Sequence, residues 1–526
     1  MVICKFYDTK ISLNFQIRTP PERKMSSPLV ILASLILPLV VIIFFLIQTN
    51  SKRSDKNLPP GPRRLPILGN LHQLGPLPHR SLTELSRKYG PLVYLRLGSI
   101  PVLVISTAEA AREALKNHDR AFSGRPNLFV AGVLTYGFSN VSFGAYGDTW
   151  RALRKIMVTE LLGPKRVQSF ESVRAEEIQR MLDTVSSFAV RLSPVNITEL
   201  AVLLVNDVVC RVTFGKRCSQ GEGKSKFHET LCQIQVALGG FCVRDLFPGM
   251  RWFNKVNGFE AKVEKYFRDL DGLYDEIIEE HKGAAGGRGD EDLVDVLLRL
   301  KGDLDQEITL TNEQIKGVMT DTFNAGTDTS ASTIVWTMTE LMRHPAIMKK
   351  AQDEVRSVAR GRSVFPESDL PNLNYLKSVV KESLRLHPPL PLLVPKTTIE
   401  NCRIMGYDIP KGTTVFINET AISTDPRSWE SPGDFKPERF LKEGSPDIDF
   451  KGQDYKFLPF GAGRRGCPGI NFGVVVIELA LANLLNGFDW ELPPGTNIED
   501  VDLEEEYGLT TYKKNPLRLV PIPVLQ

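Results

Sequence analysis

A chain of 526 residues with 42% hydrophobic and 24% charged residues has the composition of a globular protein with a sizeable core. Its formal net charge of +3 gives no electrostatic footing for a nucleic-acid partner. The seven cysteines (Cys4, Cys210, Cys218, Cys232, Cys242, Cys402 and Cys467) are odd in number, irregular in spacing and contain no C-x-x-C pair, which excludes a disulfide framework and a structural zinc site and fits a reducing compartment.

Residues 1–27 read as an N-terminal extension. Residues 28–48, PLVILASLILPLVVIIFFLIQ, carry no charge, and a run of about 20 apolar residues spans a bilayer core. No small-residue cleavage site follows, so the segment reads as an uncleaved single-pass anchor in membrane lipid. Lys52, Arg53, Lys56, Arg63 and Arg64 follow it and favour a cytosolic C-terminal side. Arg18, Arg23 and Lys24 precede it and blunt that asymmetry; a start at Met25 would remove them. Residues 49–66 read as a Pro-rich linker, in which Pro59, Pro60, Pro62 and Pro66 favour a stiff, extended spacer. The body, 67–526, has no linker break and no internal repeat. N-x-S/T matches at Asn140, Asn196 and Asn418 carry no weight in a chain that faces the cytosol.

Within the body, PLVYLRLGSIPVLVIS (91–106) alternates as two short strands around a turn at Gly98–Ser99. Helical periodicity then dominates to about residue 395, short strand-like runs recur over 402–418, and 281–292 is loop by composition. Thr311–Pro345 reads as one long helix, opened by a T-x-x-Q capping box of Thr311 and Gln314 and stopped by Pro345. About 32 residues at 1.5 Å rise cross roughly 48 Å. Its centre, AGTDTS (325–330), is odd: Gly326 costs about 1 kcal/mol against alanine, and Asp328 and Thr329 interrupt an apolar run. The chain therefore reads as one mainly α domain with a minor sheet, of about 460 residues, larger than a single core usually grows.

PFGAGRRGCPG (459–469) admits three readings. Gly461, Gly463 and Gly466 form a literal G-x-G-x-x-G, but a dinucleotide loop needs a preceding strand and a βαβ unit. FLPF is a poor central strand, and the residues after Leu485 hold no second unit. A tight turn around a structural cysteine is the plain alternative. The third reading is a metal site. Cys467 stands just before an apolar helix, where backbone N–H groups and the helix dipole favour a thiolate. Glycines let backbone approach a flat ligand, and Arg464 and Arg465 can fork onto carboxylates. One thiolate without a second Cys or His suits the axial position of haem iron better than zinc.

The loop resembles the haem-binding loop of the cytochromes P450, F-x-x-G-x-R-x-C-x-G, at Phe460, Gly463, Arg465, Cys467 and Gly469. The resemblance runs from about Leu58 to the C-terminus. In motif order and wording it looks like the plant endoplasmic-reticulum enzymes of specialised metabolism. It implies the P450 fold and haem b, with Cys467 as the iron ligand, Arg465 on a propionate and Phe460 beside the sulfur. It implies that AGTDTS is the oxygen-activation segment, where Ala325 and Gly326 clear the distal face and Asp328 and Thr329 relay protons to O2. Trp150 and Arg154 of WRALRK would donate to the propionates, with Lys396 standing where the family usually has Arg or His. Glu382 and Arg385 of KESLR, with Arg439 of FKPERF, would form a buried structural charge network. Phe129, Val130, Leu134, Phe138, Leu392, Leu393, Val394 and Leu509 would line an apolar substrate pocket. Arg151 and Lys155 face away from Trp150 and Arg154 and are expected on a basic surface for an electron donor. Thr420 and Thr424 replace the family's usual aromatic and Arg, so local packing there is expected to differ.

The implied reaction inserts one oxygen atom from O2 into a small hydrophobic plant metabolite, whether terpenoid, alkaloid or phenolic. Its electrons would come from NADPH through a separate cytochrome P450 reductase on the same endoplasmic-reticulum membrane. Two alternatives stand beside it. A haem-thiolate isomerase or dehydratase would have no use for the intact Asp328–Thr329 pair. A non-catalytic membrane scaffold would have no use for the full set of haem contacts.

Overall fold

The computed structural model describes residues 57–217, 233–234, 236–239, 242–283, 291–302, 309–441 and 448–524. The expected N-terminal extension, the apolar anchor and the first part of the linker lie outside these residues. The strand pair read from the alternation is β1 (Leu92–Leu97) and β2 (Ile100–Ile105), antiparallel from Leu97↔Ile100 to Leu92↔Ile105. Gly98 takes a positive φ of 58° in the turn between them, a conformation that costs glycine little. Two later segments complete this sheet. β3 (Lys396–Thr397) pairs antiparallel with β4 (Thr414–Ile417), and β4 lies parallel to β2. The long crossover between β2 and β4 is what allows a parallel pair here.

The Pro-rich segment is docked rather than free where it is described. Tyr94 N–H donates to Pro60 O at 2.9 Å, and Arg96 N–H donates to Asn70 Oδ1 at 2.8 Å. Gly61 backs onto β1 so closely that a Cβ there would stand 2.1 Å from Tyr94 O. Prolines suit this edge, because they leave no N–H unpaired on the outer side.

Helices carry most of the body. They include α1 (Pro78–Tyr89), α2 (Phe129–Leu134), α3 (Asp148–Ile156), α4 (Ile197–Phe214), α5 (Asn312–Arg343), α6 (Asn374–Leu386), α7 (Glu419–Ser423) and α8 (Ile470–Gly487). The long helix expected from Thr311 is α5. Gln314 N–H donates to Thr311 Oγ1 at 3.2 Å, and Thr311 N–H donates to Gln314 Oε1 at 2.9 Å. Its last helical residue is Arg343, and Pro345 opens the next helix at its first turn. α5 runs through the largest core cluster, packed against α4, α8 and α6. α8 is long and apolar enough to cross a membrane, yet 67% of that stretch is buried inside the protein; it is a core helix.

The C-terminal remnant holds more sheet than its prolines and acids predict. β5 (Phe488–Glu491) pairs antiparallel with β7 (Arg518–Pro523), and β6 (Tyr512–Lys513) makes a second, two-residue pairing with Glu505–Glu506. Pro521 and Pro523 sit inside β7, where they mask the strand from a sequence reading.

Candidate functional site

The Cys467 loop is a compact turn built from its own backbone. Gly461 and Gly463 take φ of 67° and 68°. Gly461 N–H donates to Leu458 O at 2.8 Å, Gly466 N–H to Gly463 O at 3.0 Å, and Cys467 N–H to Phe460 O at 2.9 Å. The glycines do different work from one another. Gly461, Gly466 and Gly469 line a cavity together with Cys467 and Phe460. Gly463 faces away from it: a Cβ there would stand 2.5 Å from Asp119 Oδ1 and 2.7 Å from Leu115 O. Its glycine is demanded by packing against a neighbouring turn, not by clearance for a flat ligand. Arg464 points the same way, to Asp119 Oδ2 at 2.9 Å and Tyr146 OH at 2.8 Å.

Cys467 is surrounded by protein atoms, but its side chain is exposed to the cavity it lines. Burial pushes its thiol up, and the Gly469 N–H and Arg154 pull only partly the other way. Desolvation thus opposes the pull of the N–H groups at the helix start. A coordinated metal ion would ionise it outright.

Four cations converge on the cavity: Arg125, Arg154, Lys396 and Arg465. Arg465 is buried and donates to Ser123 O at 2.9 Å, Val141 O at 3.0 Å and Gly144 O at 2.7 Å. Its guanidinium lies 4.1 Å from the centre of the Trp150 ring. Arg154 donates to Gly466 O at 2.5 Å. Trp150 donates its indole N–H to Val141 O at 2.9 Å and does not line the cavity. Lys396, placed by the short strand β3, is 4% exposed, and no acceptor among the described residues bonds its ammonium. Burial, then the Arg125 and Arg465 charges, hold its pKa well below the usual lysine range.

No sequence motif marks Arg125. It donates to Ser142 O, Val394 O and Pro395 O, each at 2.7 Å, and burial followed by the Arg465 charge lowers its pKa to about 9. Asp321, likewise outside any motif, is the buried acid of the cavity wall. It accepts from Asn140 Nδ2 at 2.6 Å, Val141 N at 2.7 Å and Ser142 N at 3.1 Å. Burial nevertheless raises its pKa. A lone acid one turn before Ala325 in an apolar helix was the available signal, as was the arginine in the apolar run AFSGRPNLFV.

The opposite wall comes from α5. Ala325, Gly326 and Thr329 line the cavity, and the Thr329 hydroxyl donates to Ala325 O at 2.7 Å. Gly326 also serves helix packing, since a Cβ there would meet Val209 Cγ2 of α4 at 3.2 Å. Asp328 is buried and turned aside: its Oδ2 accepts from Tyr512 OH of β6 at 2.8 Å.

The residues expected to touch substrate divide. Leu393 and Val394 line the Cys467 cavity. Phe129, Leu392, Leu393 and Leu509 line an adjoining cavity of about 650 Å³ beside β1, β2 and β4, and Arg125 also borders both. Val130 and Leu134 are core residues, and the Phe138 ring packs on Gly132; these three line neither space. Glu382 and Arg385, both fully buried, pair at 2.7 Å, and Arg439 Nε donates to Glu382 Oε1 at 2.9 Å.

A single thiol, four cations with one acid already committed to amide N–H groups, and a mostly apolar remainder with a few hydroxyls form a donor set that fits haem. Its iron accepts one thiolate, and its two carboxylates answer the excess buried positive charge. Arg125→Met removes one of those cations and leaves three carbonyls without their donor. The expected result is haem affinity lower by about tenfold or more, measured as the haem-to-protein ratio after dilution.

A cytochrome P450 family model matches residues 59–518. The chain is 55% identical to cytochrome P450 71A9 of Glycine max, over 89% of this chain and 93% of that one. It is 50% identical to strychnine-11-hydroxylase of Strychnos nux-vomica, over 91% of this chain and 95% of that one. A solved zebra fish cytochrome P450, in a structure with abiraterone, aligns with a TM-score of 0.69 at 25% identity, covering 85% of this chain and all of that one.

Proposed function

The chain belongs to the cytochrome P450 family, and from that premise we propose that it oxygenates a small hydrophobic plant specialised metabolite at the cavity between Cys467 and Ala325–Thr329. The class follows from the family: it is a haem-dependent monooxygenase that uses O2 and a small-molecule substrate. The observation that carries the finer reading is that one cavity presents Cys467 on one wall and Ala325, Gly326 and Thr329 on the other.

Haem held through Cys467 would supply the oxygen chemistry. The chain's own part is holding, positioning and proton supply. Arg125, Arg154, Lys396 and Arg465, which line the cavity, would hold the cofactor's carboxylates. Thr329 offers the hydroxyl that faces the reacting space, held on Ala325 O. Asp328 stands one residue away with its carboxylate on Tyr512, so it serves as proton source only after leaving that partner. The cavity's mostly apolar lining, with Leu393 and Val394 among it, favours an apolar substrate. Relatives include a strychnine hydroxylase, and an alkaloid, a terpenoid or a phenolic all fit an apolar cavity with few polar anchors. Electrons come from NADPH through a separate membrane-bound reductase docking near Arg151 and Lys155, and residues 28–48 anchor the chain in the endoplasmic reticulum.

The test is reconstitution with reductase and NADPH against panels of the three metabolite classes, following the low-to-high spin shift and then product. Substrate-dependent NADPH consumption with an oxygenated product supports the reading. Product formation without NADPH or O2 would place the protein with the isomerases and dehydratases. In the same assay Thr329→Ala is expected to lower product formation by about 10²-fold, the scale of a general acid contribution, while NADPH oxidation continues.

A further inference from the structure

Glu419 is the first residue of α7 and is fully buried. Its Oε1 accepts Leu458 N–H at 2.7 Å. Its Oε2 has no hydrogen-bond partner among the described residues. A buried carboxyl with one satisfied oxygen is costly, and the reaction described above has no use for it.

The groups on either side of that contact are fixed. α7 is pinned at its start by Asn418, whose N–H donates to Ile105 O at 2.8 Å and whose Nδ2 donates to Thr83 Oγ1 of α1 at 3.1 Å. It is pinned at its end by Arg385, which donates to Ser423 O at 2.9 Å. Leu458 in turn opens the Cys467 loop. Its carbonyl accepts Gly461 N–H, rigid Pro459 follows, and the Phe460 carbonyl accepts Cys467 N–H. One carboxyl therefore ties a rigid mount to the turn that places the sulfur.

We propose that Glu419 is a positioning residue for the thiolate loop: its buried carboxyl fixes Leu458 and, through Pro459 and Phe460, where Cys467 stands. Its carboxyl works as a neutral acid. Burial pushes its pKa up to about 8, against the pull of the Leu458 N–H. The charged groups on the packed elements are engaged elsewhere: His79 of α1 with Glu505, Arg385 of α6 with Glu382, and Lys456 of the loop with Asp454. None of them compensates a charge on Glu419. A folded-state pKa above the unfolded value gives stability that is full below the ordinary carboxylate range and declines as pH rises to the folded pKa. Wild type therefore loses stability relative to a Gln variant over that window, and the difference levels off above about pH 8.

The proposal rests on Cys467 as the iron's thiolate ligand, and the test separates the two. Full-length holoenzyme carrying Glu419→Gln or Glu419→Leu is compared with wild type in two ways. The first is the rate at which the thiolate-type reduced carbon-monoxide band is lost below the melting temperature. Leu leaves the Leu458 N–H unpaired and is expected to speed that loss about tenfold or more; Gln keeps an acceptor and is expected to match wild type near pH 6. The second is Tm against pH, where Glu419→Gln is expected to gain on wild type between about pH 5 and pH 8. Equal band-loss rates for wild type and Glu419→Leu would overturn the proposal, and so would a Gln-to-wild-type Tm difference that ignores pH. If Glu419→Leu does not fold, the Gln series decides alone. Absence of a thiolate-type band in wild type would instead overturn the reading of Cys467.

Discussion

Cys467→Ala is expected to give a folded polypeptide that retains no stably bound haem and shows no NADPH-dependent turnover above background. The side chain lies at a cavity wall, not in the packed core, so its removal takes away little packing. Among the described residues its sulfur is the only cysteine Sγ lining that cavity, and the four cations would hold a haem's carboxylates without ligating its iron. Far-UV circular dichroism close to wild type, together with a haem-to-protein ratio near zero, is the expected pair of readings. Cys467→Ser controls for shape: it keeps volume but offers iron a poor alkoxide donor, and the same loss is expected. Retention of a thiolate-type spectrum by either variant would mean that another cysteine ligates.

Glu382→Ala is expected to be the most damaging single change to stability. Glu382 accepts Arg385 Nε and Nη2 at 2.7 and 2.8 Å, Lys436 N–H at 2.8 Å and Arg439 Nε at 2.9 Å; Glu382 and Arg385 are fully buried, and Arg439 is partly buried. Removing the one acid strands two arginines, and breaking a buried pair from one side costs about 3–5 kcal/mol. Against a typical domain stability of about 5–15 kcal/mol, that is enough to leave little soluble holoprotein. Denaturant midpoints measure it. The double variant Glu382→Ala/Arg385→Ala should lose less than the sum of the singles, because the second change removes the charge that the first left unpaired.

The parts of the site that the sequence reveals are those whose signal is local. Thr311, Gln314 and Pro345 mark both ends of α5 because a capping box and a proline stop act within four residues. The Cys467 loop is legible because a turn with two left-handed glycines, a thiol and a helix start must be written contiguously. Glu382 and Arg385 are readable at i, i+3, and Arg439 only through the resemblance. What escapes is what tertiary packing assigns. Arg125 and Asp321 acquire their meaning from residues 140–144 folding back over them. Gly463 reads as ligand clearance until Asp119 and Leu115 appear behind it. Helix geometry alone sets Asp328 apart: Ala325 and Thr329 share a face at i, i+4, while Asp328 lies about 100° round the helix from Thr329. Thr420 and Thr424, noted as departures, close on each other, with Thr424 Oγ1 donating to Thr420 O at 2.5 Å; the neighbouring Glu419, unremarked in sequence, proves the more consequential residue.

The reduced, carbon-monoxide-bound difference spectrum of the purified full-length protein tests the central claim most directly, because it reads the iron's axial ligand in wild type without knowledge of the substrate. A Soret band at the thiolate position, with one haem per chain, is the predicted result. A band at the position of an imidazole-ligated haem, or no haem at all after expression with sufficient iron and haem precursor, would contradict it.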